Sequence, residues 1–374
     1  MSARLKITTV VGARPQFIKA AAVSRAIASQ FSDQIDEKII HTGQHFDENM
    51  SQVFFDELGI PRPHYNLAVS GGSHGAMTAK MLDGIEQVLL KERPDWLLIY
   101  GDTNSTLAGA LAASKLHIPI AHVEAGLRSF NMRMPEEINR IVSDRISTLL
   151  FCPTEAAVQN LKTEGISQGV HNVGDVMYDV ALYYQAKSRE QSKILERLQL
   201  TPKNFALVTC HRAENTDDPS RLREILTALS EISAHCKVIF PVHPRTRKMI
   251  ESFGYGDYLR SLIVIDPLPF LDMIALEQYA KIILTDSGGV QKEAFFYRVP
   301  CITLREETEW VETISHGCNS LAGASSHKIL KAFKDMSNIS LDQIQSSPYG
   351  YGEASIELCR TIVLSKKIEI VIKK

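Results

Sequence analysis

The sequence lacks the features that mark several common classes of protein. It carries 41 Lys and Arg against 43 Asp and Glu, so it has no basic surplus of the kind that drives nucleic-acid binding. No apolar run reaches the roughly 18 residues that a membrane-spanning helix needs. The apolar stretch at residues 5–11 is too short for a secretion signal. We therefore expect a cytoplasmic protein with no nucleic-acid or membrane partner.

Motifs for metals and common cofactors are also missing. The six cysteines are scattered without a C-x-x-C pair, which is typical of reduced, buried thiols. His41 and His45 lie four positions apart, but Gly43 and a predicted strand end separate them, so a helical zinc site is not expected. Neither G-x-G-x-x-G nor a Walker loop occurs. The sequence thus predicts no metal, nicotinamide or ATP cofactor.

The sequence does contain a regular alternation of short β-branched segments and helical patterns. Strands are predicted at 5–11, 37–41, 96–100, 120–124 and 149–152, and helices at 15–30, 46–58, 75–92, 104–116 and 135–147. Asn104 is the expected cap of the fourth helix. After a polar stretch at 183–202, strands resume at 205–210, 237–241, 262–265, 282–286 and 301–304. Such alternation is typical of parallel α/β sheets.

The length and the polar pause together predict two Rossmann-like domains. We place them at residues 1–176 and 177–352, the second being the nucleotide-binding one. A turn-rich segment, S-P-Y-G-Y-G, ends at residue 352 and precedes one last helix. We expect residues 353–374 to pack back onto the first domain.

The turn after the first strand, G-A-R-P-Q-F-I-K, has the residues of an anion site. Gly12 permits a tight turn, Pro15 suits the first helical position, and Arg14 and Lys19 lie beside the helix start. A helix N-terminus of this kind attracts phosphate. A basic pair on the surface is the alternative interpretation.

A second turn, T-D-S-G-G-V-Q-K-E, is a stronger candidate for the same chemistry. Ser287, Gly288 and Gly289 open a predicted helix, where backbone N–H groups can bind a diphosphate. Glu293 follows one turn later, where it can accept hydrogen bonds from a ribose diol. The structural alternative is a plain strand-to-helix turn.

Acidic side chains follow two neighbouring strands. Asp102 ends one strand in G-D-T-N-S-T, Glu124 ends the next in H-V-E-A-G-L-R, and Glu136 follows in P-E-E-I-N-R. The carboxyl ends of parallel strands face the ligand crevice, so Asp102 and Glu124 should share one cleft. Helix capping or ion pairing is the alternative for any one of these acids.

Histidines occupy similar positions. His211 and His243 end predicted strands in H-R-A-E-N and P-V-H-P, and Gln44 and His45 follow the strand at 37–41 in G-Q-H.

Taken together, these motifs strongly resemble the non-hydrolysing UDP-N-acetylglucosamine 2-epimerases over about residues 7–312. The chain is most similar to the branch that acts on UDP-2,3-diacetamido-2,3-dideoxyglucuronate. The resemblance implies a GT-B-like fold whose two domains face a central cleft, and a homodimer. It also implies C2 epimerisation of a UDP-2-acetamido sugar by elimination and re-addition of UDP, for bacterial surface polysaccharide synthesis. A hydrolysing epimerase, a GT-B glycosyltransferase and a non-catalytic sugar-nucleotide sensor are the alternatives.

The resemblance also implies roles for individual residues. The catalytic group comprises Asp102, Glu124, Glu136 and His211. The residues that bind UDP or the sugar comprise Arg14, Lys19, Gln44, His45, His243, Ser287, Gly288, Gly289 and Glu293.

The chain departs from the common family pattern at two places. Trp310 stands where a nucleotide-binding arginine is usual, and Asp47 where some members have a glutamine that contacts an activating UDP-N-acetylglucosamine. A sugar with a C6 carboxylate would need a cation nearby, for which Arg128, Arg133 and Arg140 are the candidates. A solvated surface position or pairing within a helix is the alternative for each of them.

Overall fold

The structure, a computed structural model, describes residues 4–43, 62–341 and 347–372, with side chains up to residue 365. The chain divides into two compact units. Unit 1 extends to Val180 and includes the segment from Ser347 onward, and unit 2 begins at Ala181 and ends at Ser346. The boundary predicted from the sequence lies between residues 176 and 177. The predicted helix at 46–58 lies outside the described residues.

Unit 1 contains a seven-stranded parallel sheet. Its strands are β1 (Leu5–Val11), β2 (Ile35–His41), β3 (Tyr65–Asn66), β4 (Trp96–Tyr100), β5 (Ile120–Val123), β6 (Leu149–Cys152) and β7 (Val170–Asn172). They lie in the order β3-β2-β1-β4-β5-β6-β7. Every residue of β4 and β5 is buried, as expected for strands covered by helices on both faces.

Among the described residues, the helices that begin in the part of unit 1 before Ala181 are α1 (Arg14–Gln30), α2 (His74–Glu92), α3 (Asn104–Lys115), α4 (Pro135–Ile146), α5 (Glu155–Thr163) and α6 (Val176–Gln191). The expected cap of α3 was wrong. Thr103 is the N-cap, since its hydroxyl accepts a hydrogen bond from the Thr106 amide. Asn104 is already helical, and its side-chain amide lies 3.1 Å from Nδ1 of His74.

Unit 2 contains a six-stranded parallel sheet in the order β10-β9-β8-β11-β12-β13. Its strands are β8 (Phe205–Thr209), β9 (Lys237–Pro241), β10 (Ile263–Ile265), β11 (Ile282–Thr285), β12 (Cys301–Thr303) and β13 (Asn319–Leu321). Its helices are α7 (Ile194–Arg197), α8 (Ala213–Thr216), α9 (Pro219–Ile232), α10 (Pro244–Ser252), α11 (Phe270–Tyr279), α12 (Gly288–Phe296), α13 (Val311–Ser315) and α14 (Ser326–Met336), with a 3₁₀ turn at Gly256–Leu259.

The polar stretch at 183–202 is more ordered than the sequence indicates. Helix α6 continues to Gln191 because Tyr184 and Ser188, one helical turn apart, are both buried. The Ser188 hydroxyl donates to the carbonyl of Leu271 at 2.8 Å. Because the segment is polar overall, its composition did not reveal that one narrow face of α6 is buried.

The last helix, α15 (Ala354–Ile372), belongs to unit 1, where it packs against α1. The Asp179 carboxylate accepts hydrogen bonds from the amides of Ala354 (3.1 Å) and Ser355 (2.7 Å) at its N-terminus. Within the described ranges, no helix combines the length and the apolarity that crossing a membrane would require.

Both sheets reverse their strand order near the middle. The reversal lies between β1 and β4 in unit 1, and between β8 and β11 in unit 2. The chain leaves the two central strands in opposite directions there, which opens a crevice at the carboxyl edge of each sheet. Eight of the thirteen predicted site residues lie in the loops after these four strands or in the helices that come next.

His41, at the end of β2, is a neutral imidazole buried in unit 1. It is only 2% exposed, and its ring packs edge-to-face with that of Phe17 at a centroid distance of 4.9 Å. Its Nε2 has no hydrogen-bond partner in the part of the chain that the structure describes. Burial lowers the pKa of His41 from 6.5 to about 4.

We predict that His41 makes unit 1 sensitive to acid. Since the folded-state pKa is depressed, its contribution is complete above the unfolded value of 6.5 and is lost as the pH falls towards 4. The full loss is of the order of 3 kcal/mol. Urea unfolding of His41→Gln should show a shallower pH dependence than the wild type over this window. His117→Asn provides the comparison for loss of an exposed imidazole, and equal slopes for His41→Gln and the wild type would contradict the prediction.

Candidate active site

Gln16 joins the loops after the two central strands of unit 1. Its Oε1 accepts hydrogen bonds from the amides of Gly12 (2.8 Å) and Ala13 (3.1 Å), and its Nε2 donates to the Tyr100 carbonyl at 2.8 Å. A Cβ at Gly12 would lie 2.1 Å from Oγ of Ser105, so close packing favours glycine there. The loops after β1 and β4 are thus held in contact.

Lys19 and Glu124 form a shielded ion pair at this edge of the sheet. Lys19 Nζ lies 2.6 Å from Glu124 Oε1, and the two side chains are 8% and 11% exposed. Glu124 has a φ of +70°, a left-handed conformation that is strained for a residue with a side chain. A Cβ at Gly101 would lie 3.4 Å from Oε1 of Glu124. Lys19, predicted to bind a diphosphate, thus sits against the predicted catalytic carboxylate.

Asp102 is oriented by an arginine of α4. Arg140 donates to Asp102 Oδ2 at 2.5 Å, and Asn139 donates to the Asp102 carbonyl at 2.8 Å. Burial raises the pKa of Asp102, and nearby Glu124 raises it further, against the lowering effect of Arg140. The carboxyl remains 26% exposed. It can therefore carry a proton at a higher pH than an ordinary aspartate while staying accessible.

The two glutamates of the P-E-E motif lie in different environments. Glu136 is exposed in the first turn of α4, whereas Glu137 is buried. Glu137 accepts hydrogen bonds from the amides of Ser129 (3.0 Å) and Phe130 (2.9 Å), and from Arg140 at 2.9 Å. Burial alone would raise the pKa of Glu137, but these hydrogen bonds lower it overall. Sequence reasoning missed Glu137, because a Glu-Glu pair does not show which side chain faces inward.

A second buried network supports the strand ends. His122 contacts Asp144 Oδ1 at 2.7 Å and the Gly101 carbonyl at 2.8 Å through its two ring nitrogens. Arg128 donates to Asp144 at 2.7 Å and to Glu164 at 2.6 Å. Sequence reasoning missed this role of His122. Its place in β5, two residues before Glu124, was the available signal.

In unit 2, Asp286 holds the loop that carries His211. Its carboxylate accepts hydrogen bonds from the amides of His211 (3.0 Å) and Arg212 (3.0 Å) and from Nδ2 of Asn215 (3.2 Å). Asp286 is fully buried, while the His211 side chain is 46% exposed. The sequence had placed Asp286 in the glycine motif without a role. The structure makes it the link between the loops after β8 and β11.

His243 lies beside His211, with 6.2 Å between the ring centroids. Its Nδ1 accepts a hydrogen bond from the Arg245 amide at 3.2 Å and so caps α10. Burial lowers the pKa of His243, and the charges of His211 and Arg245 lower it further. This edge therefore presents two imidazoles in an environment that disfavours a positive charge on His243.

The glycine motif opens α12 as predicted. The Ser287 amide donates to Thr285 Oγ1 at 2.9 Å, and the helix begins at Gly288. A Cβ at Gly288 would lie 2.8 Å from Glu309 Oε1, whereas one at Gly289 would meet only Ser287 Oγ, at 3.8 Å. Gly288 is thus required by packing, and exposed Gly289 leaves the helix N-terminus accessible to an anion.

Trp310 lies inside unit 2. It is 5% exposed, and Nζ of the buried Lys292 lies 3.9 Å from its ring centroid, which is a cation–π contact. Trp310 therefore packs against the helix that carries the glycine motif.

Arg14 is exposed and Glu293 half-buried, while Gln44, His45 and Asp47 lie outside the described residues. Unit 1 thus brings together Lys19, Asp102 and Glu124, and unit 2 brings together His211, His243 and the glycine motif.

Comparisons with known proteins agree on one family. A family model described as UDP-N-acetylglucosamine 2-epimerase matches residues 28–363. The UDP-2,3-diacetamido-2,3-dideoxy-D-glucuronate 2-epimerase of Pseudomonas aeruginosa is 53% identical, covering 94% of this chain and 97% of the relative. A UDP-N-acetylglucosamine 2-epimerase homolog of Methanococcus maripaludis is also 53% identical, covering 96% and 99%.

Solved structures show the same fold. The UDP-GlcNAc 2-epimerase of Methanocaldococcus jannaschii, in complex with UDP-GlcNAc and UDP, matches with a TM-score of 0.87 at 43% identity, over 96% of this chain and all of that one. A Phytolacca americana UGT2 structure matches with a TM-score of 0.63 at 12% identity, which speaks for the fold alone. The prediction of a GT-B-like fold with two parallel-sheet α/β domains is confirmed.

We predict that the Asp102 carboxyl opposes folding once it ionises. Because the folded-state pKa is raised, its contribution to stability is present below the unfolded value of 3.8 and is lost as the pH rises through the folded pKa. Asp102→Asn should therefore gain stability relative to the wild type over that range, measured by urea unfolding. Asp83→Asn, on the exposed surface of α2, is the comparison for replacing a carboxyl group. A difference between Asp102→Asn and the wild type that falls with rising pH would contradict this.

Proposed function

The chain belongs to the UDP-N-acetylglucosamine 2-epimerase family of isomerases, and we propose that it inverts C2 of a UDP-2-acetamido sugar without hydrolysing it. One observation carries the proposal. Glu124 and Asp102 follow neighbouring strands in different electrostatic surroundings: Glu124 is paired with Lys19, whereas Asp102 has a raised pKa although Arg140 is paired with it. Carboxyl groups of contrasting environment are what acid and base roles require.

The reaction cannot proceed by simple proton exchange, because C2 of such a sugar is not adjacent to a carbonyl. Elimination solves this problem. The C1–O bond breaks and its electron pair leaves with UDP, while a carboxylate takes the C2 proton and a C1–C2 double bond forms. UDP then adds back to C1 as C2 receives a proton on the opposite face. Atoms and electrons balance without a redox cofactor.

The site residues suit these steps. We assign Glu124 as the base and Asp102 as the acid, with Glu136 a further proton-handling carboxylate. Lys19 supports Glu124, since its ammonium compensates for a carboxylate that is largely removed from water. The open N-terminus of α12 and the adjacent His211 would stabilise the departing diphosphate. Arg14, His243 and Glu293 complete the proposed nucleotide contacts.

For the substrate we propose the 2,3-diacetamido uronate over plain UDP-N-acetylglucosamine. The two relatives at 53% identity carry different names, so identity does not separate the substrates. Buried Trp310 supports the choice, because it stands where the common pattern has a nucleotide-binding arginine. We further propose a cytoplasmic homodimer that serves surface polysaccharide synthesis. Product analysis would exclude a hydrolysing epimerase, which releases free sugar, and a glycosyltransferase, which needs an acceptor.

We predict that Gly289→Ala weakens UDP binding without harming the fold. A Cβ at this exposed position would meet only Ser287 Oγ, at 3.8 Å, so the fold should tolerate it. The added methyl group would crowd a diphosphate that approaches the N-terminus of α12. UDP affinity should fall about tenfold or more, as expected when charge-assisted hydrogen bonds are lost. Gly75→Ala is the matched control, since Gly75 is also the second residue of its helix and a Cβ there meets nothing within 4 Å. Calorimetry showing equal UDP affinity in the wild type and Gly289→Ala would contradict the proposed site.

We predict that turnover in D2O places deuterium at C2 of the product and breaks the C1–O bond. Glu124→Gln keeps size and hydrogen bonding but cannot accept the proton, so kcat should fall by about 10² or more with little change in UDP affinity. Glu155→Gln, an exposed glutamate of unit 1, should retain full activity. Product without deuterium at C2 would rule out elimination and favour transient oxidation instead.

A further inference from the structure

Three arginines were candidates for binding a C6 carboxylate, and they differ in whether carboxylates of the protein already pair with them. They are Arg128, Arg133 and Arg140. Arg128 is paired with Asp144 and Glu164, and Arg140 with Asp102 and Glu137. Neither can turn to a ligand without leaving buried carboxylates uncompensated, which is strongly unfavourable. Arg133 is exposed, and its guanidinium forms no ion pair with any residue that the structure describes.

Arg133 nevertheless lies on a well-held loop. The segment 129–134, between Glu124 and Glu136, is fastened to α4 where Glu137 binds the amides of Ser129 and Phe130. The Asn131 amide donates to Ser129 Oγ at 3.3 Å, and the Arg133 amide donates to Asn131 Oδ1 at 3.1 Å. These bonds hold the backbone from which the exposed Arg133 side chain extends.

The same contacts connect the loop to a catalytic carboxyl. Glu137, which binds the loop amides, also accepts a hydrogen bond from Arg140, and Arg140 holds Asp102. Consecutive hydrogen bonds therefore connect the backbone of Arg133 to Asp102, the proposed acid. A substrate group bound by Arg133 would be placed relative to Asp102.

The neighbours of Arg133 on this loop are apolar and exposed. Phe130 is 78% exposed with a φ of +58°, and Met132 is 61% exposed. A large apolar side chain held in a strained left-handed conformation at the surface is unusual without a binding role. Methyl groups of acetamido substituents are ligands that such side chains can cover.

We propose that the segment 129–133 recognises the sugar of the substrate, with Arg133 binding a C6 carboxylate and Phe130 and Met132 contacting acetamido methyl groups. This inference rests on the proposed function and assigns its specificity to particular residues. A planar guanidinium can bind a carboxylate through two parallel hydrogen bonds, which distinguishes a uronate from a sugar with a C6 hydroxyl.

The test compares two UDP sugars that differ only at C6: UDP-2,3-diacetamido-2,3-dideoxyglucuronate and the corresponding glucose derivative. The wild type should prefer the uronate in kcat/KM. Arg133→Gln should lose about 10- to 100-fold in kcat/KM for the uronate and little for the neutral sugar. Arg133→Lys should recover part of the preference. Arg145→Gln, an exposed arginine at the last turn of α4, is the matched control and should behave as the wild type.

The outcomes separate this inference from the proposed function. A wild-type enzyme that epimerises neither sugar would overturn both. If the wild type epimerises the uronate and Arg133→Gln keeps the same preference, or loses both activities equally, only the role of Arg133 is overturned. Unchanged UDP affinity in Arg133→Gln, measured by calorimetry, would show that the nucleotide site is intact and that any lost preference arises at the sugar.

Discussion

The hydrogen-bonded network around Asp102 in unit 1 depends on the guanidinium of Arg140. It joins Asp102, at the end of β4, to Glu137 in the first turn of α4. One positive charge thus serves two carboxyl groups in a place where a single buried charge would be strongly unfavourable. Through Glu137 the same contact fixes the loop before α4, so the proposed acid and the proposed sugar-binding loop share one support.

Unit 2 uses a buried aspartate for a comparable purpose. Asp286 accepts hydrogen bonds from the amides that follow β8, and thereby sets the position of His211 next to the glycine motif. In both units the loops at the strand-order reversal are joined by a side chain from a neighbouring loop or helix: Gln16 in unit 1 and Asp286 in unit 2. A parallel sheet opens a crevice at this position, but such cross-links give the crevice a defined shape.

The pKa values of two carboxyl groups in unit 1 shift in opposite directions, although burial raises both. It raises the pKa of Asp102, where a single arginine does not offset the loss of water. In Glu137, two amides and Arg140 overcome the same penalty and lower the pKa. The ionisation of each acid is therefore set by how many donors reach it, and burial alone does not decide it. A proton donor and a structural anion can thus lie within one hydrogen-bonded network.

The sequence by itself determined the fold class, the family and the central strands of both sheets, because hydrophobic periodicity and strand-end motifs are local signals. It did not show the short outer strands β3, β7 and β13. It also brought Asp102, Glu124, His211 and the glycine motif forward as candidates. Only the tertiary structure decided that Glu137 faces inward where Glu136 does not, that Lys19 pairs with Glu124, and that Arg133 alone of three arginines keeps its charge available among the described residues. Each of these depends on a partner far along the chain, and no local pattern specifies which buried charges will meet.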